Sequence, residues 1–127
     1  MKIFGVGTDI VRVRRVKNSL KNKLFLSRIF TKEEVSKCKK NLNYSNCFAK
    51  RFAAKEAFSK ALGTGISKGI NFNEIVILNE KNGKPFIKLI GKTKKIVEKK
   101  IKKKKYKISL SIADEKKYAV AFVTISL

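Results

Sequence analysis

The sequence predicts an α+β domain, with helices gathered mainly in its first half, a small antiparallel sheet packed with them, and one long central helix. Three observations predict it. Residues 46–63 place Phe48, Phe52, Ala53, Ala57, Ala61 and Leu62 on an apolar helical face, and Gly63 and Gly65 end it as glycine does at a helix C-terminus. "EIVILNE" and "KPFIKLI" flank Asn82-Gly83, the tight-turn signal of a β-hairpin. "YKISLSI" and "YAVAFVTIS" are runs of β-branched and aromatic residues joined by the turn "ADEKK". With 127 residues, 43% of them hydrophobic, residues 1–127 fit one compact domain with a real core.

The remaining elements follow in chain order. "KIFGVGT" reads as a strand whose two glycines mark close backbone approach or a bulge. Asp9 comes next, and "IVRVRRVKNSL" then places Ile10, Val13, Val16 and Leu20 at helical spacing. That predicts a short helix with Arg12, Arg14, Arg15 and Lys17 on its basic outer face. Thr31 with Glu34 three residues later is a capping box and starts a second helix, where Glu33 and Glu34 suit the positive helix N-terminus. "NLNYSN" is a polar loop before the long helix. Residues 91–105 are lysine-rich with Ile96, Val97 and Ile101 at helical spacing, which predicts a surface helix.

Charge and cysteine usage narrow the function classes. Thirty-two Lys and Arg against nine Asp and Glu give a net charge of +23, which points to a polyanionic partner: nucleic acid, anionic lipid, a nucleotide or an acidic protein. The plainer alternative is a solvated lysine-rich surface, as an AT-rich genome would encode. The chain has no histidine, which excludes a Cys/His zinc site and both Ser-His and Cys-His catalysis. Cys38 and Cys47 form no CxxC pair and read as reduced thiols in a cytosolic protein, with a 38–47 disulfide as the lesser alternative. The first residues are too short and interrupted for a signal peptide, and no apolar run approaches the roughly 18 residues of a membrane span. A cytoplasmic protein is expected.

Two acids stand out. Most of the nine sit at helix starts, strand edges, turns or among lysines. Asp9 follows a glycine-containing strand, and Glu56 lies mid-helix among alanines and phenylalanines. Taken singly, Asp9 is an N-cap and Glu56 an ion-pair partner of Lys60, Lys55 or Arg51. Taken together, two carboxylates can hold one Mg²⁺, with waters and a substrate phosphate completing the octahedron. Lys55, Lys60 and Arg51 on the same helix could then bind further phosphates. Spacing alone does not bring Asp9 and Glu56 together. Gly63-Thr64-Gly65 is a weak phosphate-cradle signal that a helix C-cap explains equally well.

"GVGTDIVRVRRV" with "KRFAAKEAFSKALGTGI" closely resembles the holo-[acyl-carrier-protein] synthase family of small 4′-phosphopantetheinyl transferases. The family's G-x-D stands here as Gly7-Thr8-Asp9, and its (W/F)-x-x-K-E-A-x-x-K runs from Phe52 through Lys55, Glu56 and Ala57 to Lys60. "SRIFTKEE", "NGKPFIKL" and "SLSIADEKKYAVAFV" extend the similarity over nearly the whole chain. The resemblance implies the single-domain transferase fold and Mg²⁺-dependent transfer of 4′-phosphopantetheine from coenzyme A to a serine of apo acyl carrier protein, in fatty acid biosynthesis. It assigns Asp9 and Glu56 to the metal and Lys60 to the pyrophosphate. Arg51, Gly63, Thr64 and Gly65 go to the nucleotide part of coenzyme A. The proton of the attacking serine goes to Glu56 or to a metal-bound water. Arg12, Arg14, Arg15 and Lys17, with Arg28, form a docking face for the acidic carrier, and Arg15 is the family's carrier-contacting arginine.

The resemblance also implies a homotrimer with the active site between neighbouring subunits, for which "YAVAFVTIS", apolar on both faces, could supply the core. Two departures stand against the pattern. Arg12 replaces a frequent Glu, which implies a different outer shell for the metal, and Ser109 stands where the family often has His, so weaker or altered nucleotide binding without loss of activity is expected. The rival reading is a basic nucleic-acid-binding domain without catalysis, in which Tyr106, Phe86 and Phe122 stack on bases and Asp9 and Glu56 are dispensable. A peripheral membrane protein anchored through 92–105 ranks below it, because that segment has few large apolar residues.

Overall fold

Gly5, Gly7 and Asp9 lie two apart along the first strand and so share one side of it, and the two glycines decide how closely the central helix approaches. A Cβ at Gly5 would overlap the carbonyl oxygen of Ala61, and one at Gly7 that of Ala57. The computed structural model that gives this geometry describes residues 1–63, 69–102 and 105–127. The first strand, β1 (Ile3–Arg12), is an edge of a three-stranded antiparallel sheet of order β1-β5-β4, with β4 at Lys107–Asp114 and β5 at Tyr118–Ser126. A hairpin of β2 (Ile75–Asn79) and β3 (Pro85–Leu89) forms a second sheet. The helices are α1 (Val13–Ser19), α2 (Lys23–Ile29), α3 (Lys32–Lys39), α4 (Tyr44–Leu62) and α5 (Gly91–Ile101), and a 3-10 turn at Phe72–Glu74 leads into β2.

Small residues let α4 lie flat on the sheet. Ala53, Ala54 and Ala57 of α4 are fully buried, as are Ala119, Ala121, Val123 and Ile125 of β5. The other flank of α4 carries an aromatic cluster in which Phe30 packs edge-on against Phe48 at 4.9 Å and Phe52 against Phe72 at 6.3 Å. This is the α+β, single small domain that the sequence predicts.

The hairpin forms with Gly83 at φ +90° in its turn. The capping box also forms. Thr31 Oγ1 accepts from Glu34 N at 3.1 Å, and Glu34 Oε1 accepts from Thr31 N at 3.0 Å.

Four expectations change. Strand β1 continues through Asp9 to Arg12, and α1 begins only at Val13, so Asp9 is not an N-cap. Strand pairing wins over helical spacing here, because Ile10 and Val11 sit opposite Val120 and Ala119 of β5. Helix α2 is unanticipated; the Asn22 side chain caps it by accepting from Leu24 N and Phe25 N. Helix α5 ends at Ile101, short of the expected 105. Cys38 and Cys47, read as reduced thiols, are joined in a disulfide, because the packing of α3 on α4 buries both and brings their Cα atoms to 5.4 Å. Among the described residues, no helix is long and apolar enough to cross a membrane.

Candidate active site

Two elements bring the singled-out acids together. Phe52, Glu56 and Lys60 are spaced by four on α4 and share one face, and Asp9 projects from β1 on its glycine side, toward that helix. Lys60 Nζ donates to Asp9 Oδ1 at 3.0 Å and to the carbonyl of Thr8 at 3.1 Å. The Asp9 side chain is 15% exposed and that of Lys60 52%, so this pair is screened by solvent and contributes little stability by itself. Glu56 is half-buried beside them. Burial, and after it the Asp9 charge, push its carboxyl above the ordinary glutamate value; Lys60 and Arg15 pull it part of the way back.

Among the described residues no donor bonds the Glu56 carboxylate, and Lys60 and Arg15 act on its charge from a distance. A carboxylate held in that way beside a second carboxylate fits a hard divalent cation. No cluster of three or more His, Cys, Asp or Glu occurs among the described residues. Asp9 and Glu56 would therefore supply two positions of a six-coordinate ion, with water and substrate oxygens supplying the rest, as Mg²⁺ prefers.

The acids open onto a cleft of about 760 Å³ lined also by Arg12, Arg14, Arg15 and Lys60, with Phe25 and Phe52 as an apolar wall. On the other side of that wall lies a cavity of about 720 Å³ that shares Glu56, Phe25 and Phe52 and adds Arg28, Asn71, Phe72 and Asn73. Glu56 thus faces both spaces, and the cations Arg12, Arg15 and Arg28 border them. Arg12 is partly engaged: its guanidinium lies 5.7 Å over the Tyr118 ring, and Nη2 donates to Tyr118 Oη at 3.3 Å.

Other predicted residues sit elsewhere. Arg51, expected at the nucleotide, is 6% exposed and turned about 140° around α4 from Glu56. Its Nη1 donates to Cys47 O at 3.3 Å and Cys47 Sγ at 3.1 Å, and its Nη2 to Asn79 Oδ1 at 3.2 Å. In this chain it is a buried structural cation, whose acidity burial increases.

Lys55, expected to meet a phosphate, is fully buried with Nζ 2.8 Å from Glu34 Oε1 and 2.9 Å from the Phe72 carbonyl. Burial lowers its pKa to about 8 against the opposing pull of Glu34, with Arg51 lowering it further. Gly63 closes α4 in the left-handed region at φ +86°; Thr64 and Gly65 lie outside the described residues. Ser109 is on the exposed face of β4, opposite Thr124, and lines neither space. Glu34 is the residue the sequence reading missed, because its place in a capping box already accounts for an acid at that position.

A family model described as the 4′-phosphopantetheinyl transferase superfamily matches residues 5–123. The holo-[acyl-carrier-protein] synthase of Pelagibacter ubique is 49% identical to this chain over 125 residues, 98% of each. The chain belongs to the holo-[acyl-carrier-protein] synthase family of 4′-phosphopantetheinyl transferases. A holo-[acyl-carrier-protein] synthase of Ehrlichia chaffeensis is 44% identical over 97% of this chain and 96% of its own. The solved synthase of Neisseria meningitidis superposes with a TM-score of 0.85 at 37% identity, over 98% of this chain and 99% of its own. That of Bacillus anthracis, solved in complex with CoA (3′,5′-ADP), gives 0.80 at 34% identity, over 99% and 98%. The fold of this synthase-family chain is therefore that of solved family members. Its enzyme class replaces the reading as a nucleic-acid-binding domain.

Proposed function

We propose that this chain performs the Mg²⁺-dependent transfer of 4′-phosphopantetheine from coenzyme A to a serine of apo acyl carrier protein, releasing adenosine 3′,5′-bisphosphate, in the cytoplasm and in service of fatty acid biosynthesis. One observation carries the reading. Asp9 and Glu56, remote in sequence, line one cleft with Lys60 against Asp9. The coenzyme A complex of the Bacillus anthracis relative supports the choice of donor.

In this reading Asp9 and Glu56 hold the ion beside the pyrophosphate of coenzyme A. Mg²⁺, when bound, supplies charge neutralisation at the phosphate oxygens. Lys60, half-exposed and already aimed into the cleft, shifts from Asp9 to the pyrophosphate. The carrier serine oxygen forms a bond to the phosphorus bearing pantetheine as the bond to the adenosine 3′,5′-bisphosphate oxygen breaks. The serine proton goes to the Glu56 carboxylate or to a water beside it. Gly63, Thr64 and Gly65 contact the nucleotide, and Arg12, Arg15 and Arg28 steer and seat the acidic carrier. The active unit is a homotrimer with sites between subunits, supported by the exposed apolar face of the sheet.

Intact-mass spectrometry of apo carrier incubated with the protein, coenzyme A and Mg²⁺ tests the proposal. Wild type adds one phosphopantetheine mass, EDTA abolishes it, and Asp9→Ala and Glu56→Ala fall at least roughly 100-fold. Unmodified carrier after incubation with wild type would refute it.

A further inference from the structure

The two most deeply buried charges among the described residues have no part in that chemistry, yet one of them adjoins Glu56 in the chain. Glu34 and Lys55 are 2% and 0% exposed. Glu34 Oε1 accepts from Lys55 Nζ and from Thr31 N, and Oε2 accepts from the backbone of Ile77 at 3.0 Å. Lys55 Nζ also donates to the Phe72 carbonyl and lies 5.4 Å over the Phe30 ring. The pair therefore ties the start of α3, the middle of α4, the turn 72–74 and strand β2 to one point. Residues 70–74 are a wall of the cavity that opens on Glu56, and Lys55 is joined to Glu56 by a peptide bond.

Stability does not explain why the link is ionic. Desolvating two charges offsets most of their attraction, and apolar residues of similar volume commonly serve as well in such a place. Directional bonds to three backbone groups do something a hydrophobic contact cannot, which is to fix the spacing between helix and wall. We propose that Glu34 and Lys55 are positioning residues of the transfer reaction, whose buried pair sets the width of the cavity between Glu56 and the 70–74 wall and so the fit of the substrate lying there. This rests on the proposed function.

The test is the double variant Glu34→Gln/Lys55→Met, which keeps the stems and one acceptor for the Thr31 and Ile77 backbone and removes both charges of the pair, while Arg51, which feels the Glu34 charge, keeps its own bonds to Cys47 and Asn79. Its Tm, the KM for coenzyme A, the Mg²⁺ concentration for half-maximal rate and the coenzyme A Kd by calorimetry are measured against wild type. The expected result is a Tm within a few degrees, an unchanged Mg²⁺ requirement, and a KM and Kd raised about tenfold. A merely structural pair would lower the active fraction, and with it kcat, leaving KM and Kd within twofold; that outcome overturns the proposal. A wild type that binds coenzyme A but transfers nothing refutes the proposed function, while an equal Kd in the variant refutes only this inference. A wild type that binds no coenzyme A refutes both.

Discussion

Glu56 is held in a condition that a folding protein alone would avoid. It is half-buried and beside a like charge, and both effects favour its protonated form. The sign for stability follows. A carboxyl whose folded pKa lies above its unfolded value costs stability as pH rises through that window, and the cost is complete once the pH is above the folded value. Glu56→Gln should therefore raise the Tm of the metal-free protein by roughly 1–3 °C, while removing at least about 99% of Mg²⁺-dependent transfer. Thermal denaturation in EDTA and the mass assay would read the two effects separately, and a lowered Tm would contradict the account. Titration followed at the carboxyl carbons by NMR should find Glu56 above the ordinary glutamate value in the metal-free protein. It should move down in Asp9→Asn, where the neighbouring charge is gone, and down again in wild type when Mg²⁺ is added.

At the scale of elements, the contact between β1 and α4 builds the site. Gly5 and Gly7 carry no Cβ where Ala61 and Ala57 present their backbone, and this lets Asp9 reach the Lys60 and Glu56 face of the helix. Gly7→Val would force the strand off the helix. It should cost about 2–4 kcal/mol by denaturant unfolding, and transfer should fall far more than Gly83→Val in the hairpin turn, where open space surrounds the glycine. The sequence was legible where one local rule decides. The capping box at Thr31, the Asn82-Gly83 hairpin and the long helix α4 with its Gly63 stop stand as read. It misled where the partner element decides. Ile10 and Val11 read as helix because their spacing allows it, but β5 supplies a strand partner that no local window contains. Arg51 and Lys55 read as phosphate ligands because they share a helix with Glu56, and the resemblance gave Arg51 the nucleotide. The turn of the helix instead points them at Asn79 and Glu34.

The whole molecule leaves one face of its main sheet uncovered. Val6, Ile10, Val120 and Phe122 are 53%, 65%, 37% and 45% exposed, opposite the face that packs on α4. The register sets them side by side: Ile10 faces Val120, and Thr8 faces Phe122. Such a patch on a chain otherwise crowded with lysine suits the subunit contact proposed above, and a neighbour seated there would stand one residue from Asp9. The proposed homotrimer uses this face, and it must overcome the mutual repulsion of subunits that each carry +23. Salt should therefore act with opposite signs on the two associations. Screening relieves repulsion between identical cations, so raising ionic strength from about 0.05 to 0.3 M should tighten the trimer in sedimentation equilibrium. The same change weakens steering between the arginine face and an acidic carrier, so kcat/KM for the carrier should fall roughly tenfold while KM for coenzyme A moves less. Phe122→Lys places a charge in the apolar patch without touching the buried Ala121 and Val123 beside it. It should yield a folded monomer at micromolar concentration with at most about a tenth of the wild-type rate. A wild type that sediments as a monomer under every salt condition, or a fully active monomeric Phe122→Lys, would remove this face from the site.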